Sequence, residues 1–334
     1  MTIPKISIGA AAEAKIESFT IATPVAAITF DKKALKTIAG AAKADVTVSV
    51  SAVDTSTLSV PAAIIEKVAD RPVFDFTVTS GNEKISNFDG GYATVVVPYT
   101  LKAGENANAI VVYYLDNNGN LETVMGRFDA ATGTVKMKLS HFSRFVIGYN
   151  KVTFADVEST QWYAEAVDFV TARQFFSGVS DGKFAPNMAM TRAMFAMVIA
   201  NIVGADLSSY KTSEFTDVDI NAWYGKATAW AADKKIVSGV SNGRFDPDAQ
   251  ITREQMAVML NNYIKYKGIK LASKSQPDFA DASVVSDWAK DAVTQIQSYG
   301  IISGVGENTF APKANADRAS VATIFTNFIK VLNK

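Results

Sequence analysis

The chain has 334 residues, of which 48% are hydrophobic and 20% charged, enough to fold and bury a core in two domains or in one domain plus a repeat array. Lys+Arg and Asp+Glu both total 33, with 14 of each sign up to residue 150, so neither part carries the excess that nucleic acid or an acidic membrane surface would demand. Cysteine is absent, which excludes disulfides, thiol chemistry and Cys-based metal sites. No apolar run approaches the length of a membrane span. The opening Met1-Thr2-Ile3-Pro4-Lys5 lacks the regions of a signal peptide, so a fragment of a longer exported protein is expected. From the N-terminus, β-branched or alternating runs recur: Phe19–Ile21, Val46–Val50, Phe74–Val78, Thr94–Val97, Ile110–Tyr114, Val135–Leu139 and Phe145–Ile147. Turn formers separate them at Asp89-Gly90-Gly91, Asp116–Asn120 and Thr132-Gly133, and Leu35–Ala44 is expected to add one short helix or turn at an edge. This spacing predicts an antiparallel β-sandwich over residues 1–150, a spacer or assembly unit, joined near Tyr149–Val152 to a helical domain over 151–334.

Beyond the boundary one unit recurs three times, at about 152–212, 213–274 and 275–334. Phe154-x-Asp156 returns as Phe215-x-Asp217 and Phe279-x-Asp281, and Trp162 as Trp223 and Trp288. Ser177-Gly178 returns as Ser238-Gly239 and Ser303-Gly304, Phe184-x-Pro186 as Phe245-x-Pro247 and Phe310-x-Pro312, and Arg192 as Arg253 and Arg318. Each copy reads as helix, loop, helix. The first helix is expected to start near the Trp, capped by Thr160, Asn221 or Ser286, and to end at the Ser-Gly pair through a left-handed glycine. The second opens at Thr191, Thr252 or Asp317. One hairpin cannot cover both its faces, so the copies must pack on each other.

Each Arg follows the N-cap of its second helix, where a cation opposes the helix dipole at a cost of about 0.3–1 kcal/mol. An anion held by the guanidinium and free backbone N–H groups would offset that cost. The blander reading pairs each Arg with Asp156, Asp217 or Asp281 of a neighbouring copy. Trp162, Trp223 and Trp288 offer flat faces to sugar rings, and amphipathic aromatics are expected to lie part in core, part in a groove. An acidic sugar fits both features.

The ordered landmarks Phe-x-Asp, Trp, Ser-Gly, Phe-x-Pro and Thr-Arg resemble the S-layer homology family over residues 154–334. The resemblance implies a pseudo-threefold assembly of three helical-hairpin repeats on the surface of a bacterium. It implies binding of secondary cell-wall polysaccharide, often through a pyruvylated amino sugar, in grooves between repeats, with S-layer self-assembly as a further partner and no cofactor or metal. The ligand-binding set it implies joins the three Arg, three Trp and three Asp to Gly178, Gly239 and Gly304. The family's Thr-Arg-Ala-Glu maps onto Thr191-Arg192-Ala193-Met194, Thr252-Arg253-Glu254-Gln255 and Asp317-Arg318-Ala319-Ser320, and none keeps the final Glu. Copy three also has Asn308-Thr309 where the others have Gly182-Lys183 and Gly243-Arg244, so it is expected to be the weakest, with grooves relying on Arg192 and Arg253 the better ones. A recognised alternative ligand is modified peptidoglycan. The only histidine, in His141-Phe142-Ser143, resembles the self-cleaving site of ZU5-like sandwich domains, where Ser143 would attack the Phe142 carbonyl across a strained Phe142–Ser143 bond with His141 as base or orienting group. Packing is the competing role for that motif, and the chain is otherwise expected to be no enzyme.

Overall fold

The alternating runs of residues 1–152 close into two antiparallel sheets. In the computed structural model, which describes residues 1–332 except 59 and 69, the chain divides into two units, Met1–Val152 and Thr153–Leu332. The first contains β1 (Thr2–Ile3), α1 (Lys5–Glu13), β2 (Ser18–Ala22), β3 (Ala27–Asp31), α2 (Lys32–Ala41), β4 (Val46–Ala52), α3 (Ala62–Val68), β5 (Val73–Ser80) and β6 (Glu83–Lys84). It continues with β7 (Ala93–Pro98), β8 (Ile110–Leu115), β9 (Leu121–Val124), β10 (Gly126–Asp129), β11 (Thr134–Leu139) and β12 (Arg144–Tyr149). One sheet runs β1-β4-β5-β12-β8-β9 with β6 beside β5, and the other runs β10-β11-β7-β3-β2. Inward residues of both, such as Val95, Val97 and Phe30 from one and Phe76, Val78 and Phe145 from the other, share a single core. All seven runs read from the sequence lie in strands. α2 differs from its expected place at an edge: Asp31 caps it by accepting from Ala34 N at 2.7 Å, and Ala34, Leu35 and Ile38 enter the core. Gly91 allows this close approach, since a Cβ there would stand 2.2 Å from the Ala34 nitrogen.

The second unit holds α4 (Ala164–Ala172), α5 (Arg192–Ile202), α6 (Gly225–Asp233), α7 (Arg253–Tyr266), α8 (Lys290–Ser298) and α9 (Arg318–Leu332). The copies pack on each other as the sequence requires, and the main helix pairings are not those within a copy. Instead α4 packs on α9, α6 on α5 and α8 on α7, so every first helix lies against the second helix of another copy. The extended residues before α5, α7 and α9 complete the closure. Met190 N donates to Ala316 O at 2.9 Å, Ala316 N to Ile251 O at 3.0 Å, and Ile251 N to Met190 O at 2.9 Å. Three equivalent residues each donate to the next, a closed pseudo-threefold ring, and all three are buried.

Helix ends depart from the sequence reading in two ways. The Trp stands in a turn before the first helix. α4 starts after Tyr163 and α6 after Tyr224, so Thr160 and Asn221 cap neither, and Ser286 precedes only a short 3-10 turn over Asp287–Ala289. At the other end the left-handed residue comes three positions before the Ser-Gly pair, at Gln174, Lys235 and Gly300, with φ of 60°, 56° and 71°. There Phe175 N, Ile236 N and Ile301 N reach back to Val170 O, Ala231 O and Ile296 O, which ends each helix with a turn of its own. The second helices do start where their caps predict. Thr191 Oγ1 accepts from Met194 N, Asp317 Oδ1 from Ser320 N, and Thr252 forms a capping box with Gln255.

Candidate functional site

Each Arg reaches into the loop of another copy. Arg192 Nε donates to Phe245 O at 2.8 Å and its Nη2 to Ser238 O at 2.9 Å. Arg253 does the same to Phe310 O and Ser303 O at 2.7 and 3.0 Å, and Arg318 to Phe184 O and Ser177 O at 2.7 and 2.6 Å. Copy one thus grips copy two, two grips three, and three returns to one. The guanidinium groups lie over the Phe245, Phe310 and Phe184 rings at 4.6, 5.1 and 4.5 Å. Only 5%, 5% and 7% of Arg192, Arg253 and Arg318 is exposed.

This arrangement corrects the picture of an open anion site at each helix N-terminus. The backbone N–H groups there are taken: Arg192 N and Ala193 N donate to Ala249 O and Pro247 O, Arg253 N and Glu254 N to Ala314 O and Pro312 O, and Arg318 N and Ala319 N to Met188 O and Pro186 O. Four carbonyl oxygens of a neighbouring copy therefore offset both the dipole and the cation. The guanidinium edge formed by Nε and Nη2 is likewise spent on carbonyls and is closed to a bidentate carboxylate. Burial lowers the affinity of these groups for their protons, opposed by Asp246 and Asp217 near Arg192 and by Asp317 and Asp281 near Arg253. Arg318, opposed by Asp156 alone, is lowered to about 10, so all three stay charged at neutral pH.

The aspartates do not pair with the Arg as the bland reading had it. Asp156 accepts from Phe184 N and Ala185 N, Asp217 from Phe245 N and Asp246 N, and Asp281 from Phe310 N and Ala311 N, all within 2.8 Å. Both oxygens of each carboxylate thus hold the loop at a left-handed residue, with φ near 55–60° at Ala185, Asp246 and Ala311. For Asp156 and Asp217, burial raises the pKa, but these N–H donors outweigh it and bring both below the usual carboxylate range. The glycines serve close approach, not φ. A Cβ on Gly178, Gly239 or Gly304 would meet Lys183 O, Arg244 O or Thr309 O at 2.9, 2.7 or 2.9 Å.

The Trp residues are more exposed than expected, at 65%, 59% and 59% for Trp162, Trp223 and Trp288. A residue just after each Trp takes the core place instead: Tyr163, Gly225 after Tyr224, and Ala289 are buried, and Trp162 and Trp223 stand edge-on to Tyr163 and Tyr224. Val179, Val240 and Val305, next to the glycines, are also exposed. A groove of about 490 Å³ unites features from all three copies: Trp162 of the first, Arg253 of the second, and Ser303-Gly304-Val305 with the α9 residues Ser320, Thr323, Ile324 and Asn327 of the third. A groove is thus shared property, and copy three supplies most of this one. Asn327 is absent from the residues singled out in the sequence, although Asn stands nine residues after each Arg, at Asn201, Asn262 and Asn327.

Residues 153–196, 214–257 and 278–322 match the S-layer homology domain family. Residues 153–322 are three S-layer homology repeats. By them the chain is a bacterial cell-surface protein of S-layer type. It is similar to an amylopullulanase of Thermoanaerobacterium thermosulfurigenes, 31% identical over 69% of this chain and 12% of the relative. A cellulosome-anchoring protein of Acetivibrio thermocellus is 30% identical over 45% of this chain and 34% of the relative. S-layer protein EA1 of Bacillus anthracis is 26% identical over 43% and 16%. The chain thus spans about a third or less of the length of these relatives.

In the first unit His141-Phe142-Ser143 precedes β12. Phe142 is buried against Phe30, Phe76 and Phe88, its N–H donates to Ser86 O at 2.9 Å, and Ser143 O accepts from Phe76 N at 3.0 Å. His141 packs on Tyr114 and Phe145 at 4.7 and 5.7 Å. Burial lowers its pKa, opposed by Glu122 and a hydrogen bond with Phe142. Among the described residues no acidic or His cluster suited to a metal occurs, and no helix is long and apolar enough to cross a membrane.

Proposed function

We propose that the S-layer homology repeats anchor the protein non-covalently to the bacterial cell wall by holding secondary cell-wall polysaccharide, through a pyruvylated sugar, between repeats. The groove at Arg253 carries the reading. Exposed Trp162 and Val305 offer apolar faces to a sugar ring, the polar side of α9 faces its hydroxyls, and a buried cation outside every described ion pair lies at its wall. Arg253 spends its Nε–Nη2 edge on the Phe310 and Ser303 carbonyls, so an acidic ligand in the groove would meet its charge and its remaining Nη donors. Trp162→Ala removes the stacking face of a largely exposed side chain, at the loss of one edge contact with Tyr163. Retention on purified cell walls should fall about fivefold, the effect of roughly 1 kcal/mol of aromatic contact. Walls stripped of pyruvyl groups should retain the wild-type protein equally poorly. Undiminished retention on such walls would favour modified peptidoglycan as the ligand.

The first unit serves as spacer or assembly element and performs no chemistry in this reading. Its His-Phe-Ser segment acts in packing, with Phe142 filling the core, its N–H bonded to Ser86 O and the Ser143 carbonyl bonded to Phe76 N of β5. Intact-mass measurement after prolonged incubation at neutral pH should return one full-length species. A break between Phe142 and Ser143 would instead establish self-cleavage.

A further inference from the structure

The three second helices present the same face differently. Two, five and nine residues after each Arg, spacing that keeps side chains on one helical face, stand Met194, Met197 and Asn201 on α5, Gln255, Val258 and Asn262 on α7, and Ser320, Thr323 and Asn327 on α9. None of the nine is buried, whereas most of their helical neighbours are. The α5 face is led by two thioethers, which make only weak hydrogen bonds. On α7 the polar groups are engaged within the protein: Gln255 Oε1 accepts from Thr252 N at 3.1 Å, and Asn262 Nδ2 donates to Ile236 O at 3.3 Å. On α9 they are available. Thr323 Oγ1 donates to Ala319 O at 3.0 Å and keeps its acceptor capacity, while Ser320 Oγ and the Asn327 amide bond to none of the described residues.

A sugar edge needs donors and acceptors together, and an unengaged amide beside two hydroxyls provides both. Taking the glycan reading above as given, we propose that the chain has one glycan site, the α9 groove, in which Ser320, Thr323 and Asn327 read the hydroxyl and amide groups of the sugar. Affinity then comes from one groove, and the α5 and α7 faces serve packing and capping.

The test is titration calorimetry of the full chain with short soluble fragments of pyruvylated cell-wall polysaccharide. The expected stoichiometry is one fragment per chain. Ser320→Met with Thr323→Met, which gives α9 the face of α5, should weaken binding at least tenfold. Met194→Ala with Met197→Ala should bind as the wild type does. Should the double methionine variant fail to fold, Asn327→Ala decides, with an expected loss of about fivefold at an unchanged urea midpoint. A stoichiometry of two or three, or wild-type affinity in a folded α9 variant, overturns the single-site inference while leaving the glycan reading intact. Failure of the wild type to bind these fragments overturns both.

Discussion

An Arg at the first turn of a helix is costly unless something compensates it, and here the compensation is internal. The carbonyls of Phe310 and Ser303 meet the Arg253 side chain while those of Ala314 and Pro312 meet the backbone beside it. Lysine has one point of charge and cannot span two carbonyls set to a planar fork. Arg253→Lys should therefore cost about 2 kcal/mol in urea unfolding, since a buried carbonyl left unpaired costs roughly 1–3 kcal/mol. Gly239→Ala should cost a similar amount by overpacking, about 1–3 kcal/mol, because its Cβ would stand 2.7 Å from Arg244 O. Trp162→Ala, at an exposed side chain, should stay within about 0.5 kcal/mol of the wild type. An Arg253→Lys protein of unchanged stability that no longer binds cell walls would make the Arg a ligand residue before a structural one.

At the scale of elements, the strands and the second helices are legible in the sequence because their signals are local. Alternation marks β5 and β7, and a Thr or Asp cap marks α5, α7 and α9. β3 carries the same alternation at Ile28 and Phe30 but is only five residues long beside the Pro24 turn, and its place between β7 and β2 is set by pairing, not by pattern. The first helices differ from expectation at both ends for another reason. Thr160, Asn221 and Ser286 have the chemistry of caps and stand just before each Trp, yet the tertiary need to bury Tyr163 or Ala289 starts the helix later. Their ends rest on left-handed Gln174 and Lys235, residue types that carry no stop signal, whereas Gly300 does. The site is legible as a set of recurring residues and illegible as an arrangement. Periodicity names the Arg, Trp and Gly positions, but that Arg253 lines one groove with Gly304 of the next copy and Trp162 of another is a property of the closed ring.

Closure also separates this unit from a linear repeat array. In a linear stack, removing the last repeat subtracts one interface and leaves the others in place. In the ring, copy three packs on both of the others: α8 lies on α7, α9 lies on α4, Arg318 holds the Phe184 and Ser177 carbonyls, and Ala316 closes the three hydrogen bonds around the axis. Deleting residues 275–334 would thus expose α4 and α7 together and leave buried polar groups of copy one unpaired, each a cost of about 1–3 kcal/mol. Residues 153–274 of such a truncated chain should lose their cooperative urea transition and be cut by protease within the helices, while a linear array would keep a two-repeat transition at lower midpoint. Adding residues 275–334 back as a separate segment should restore protection if ring closure, and not covalent order, is what holds the repeats together.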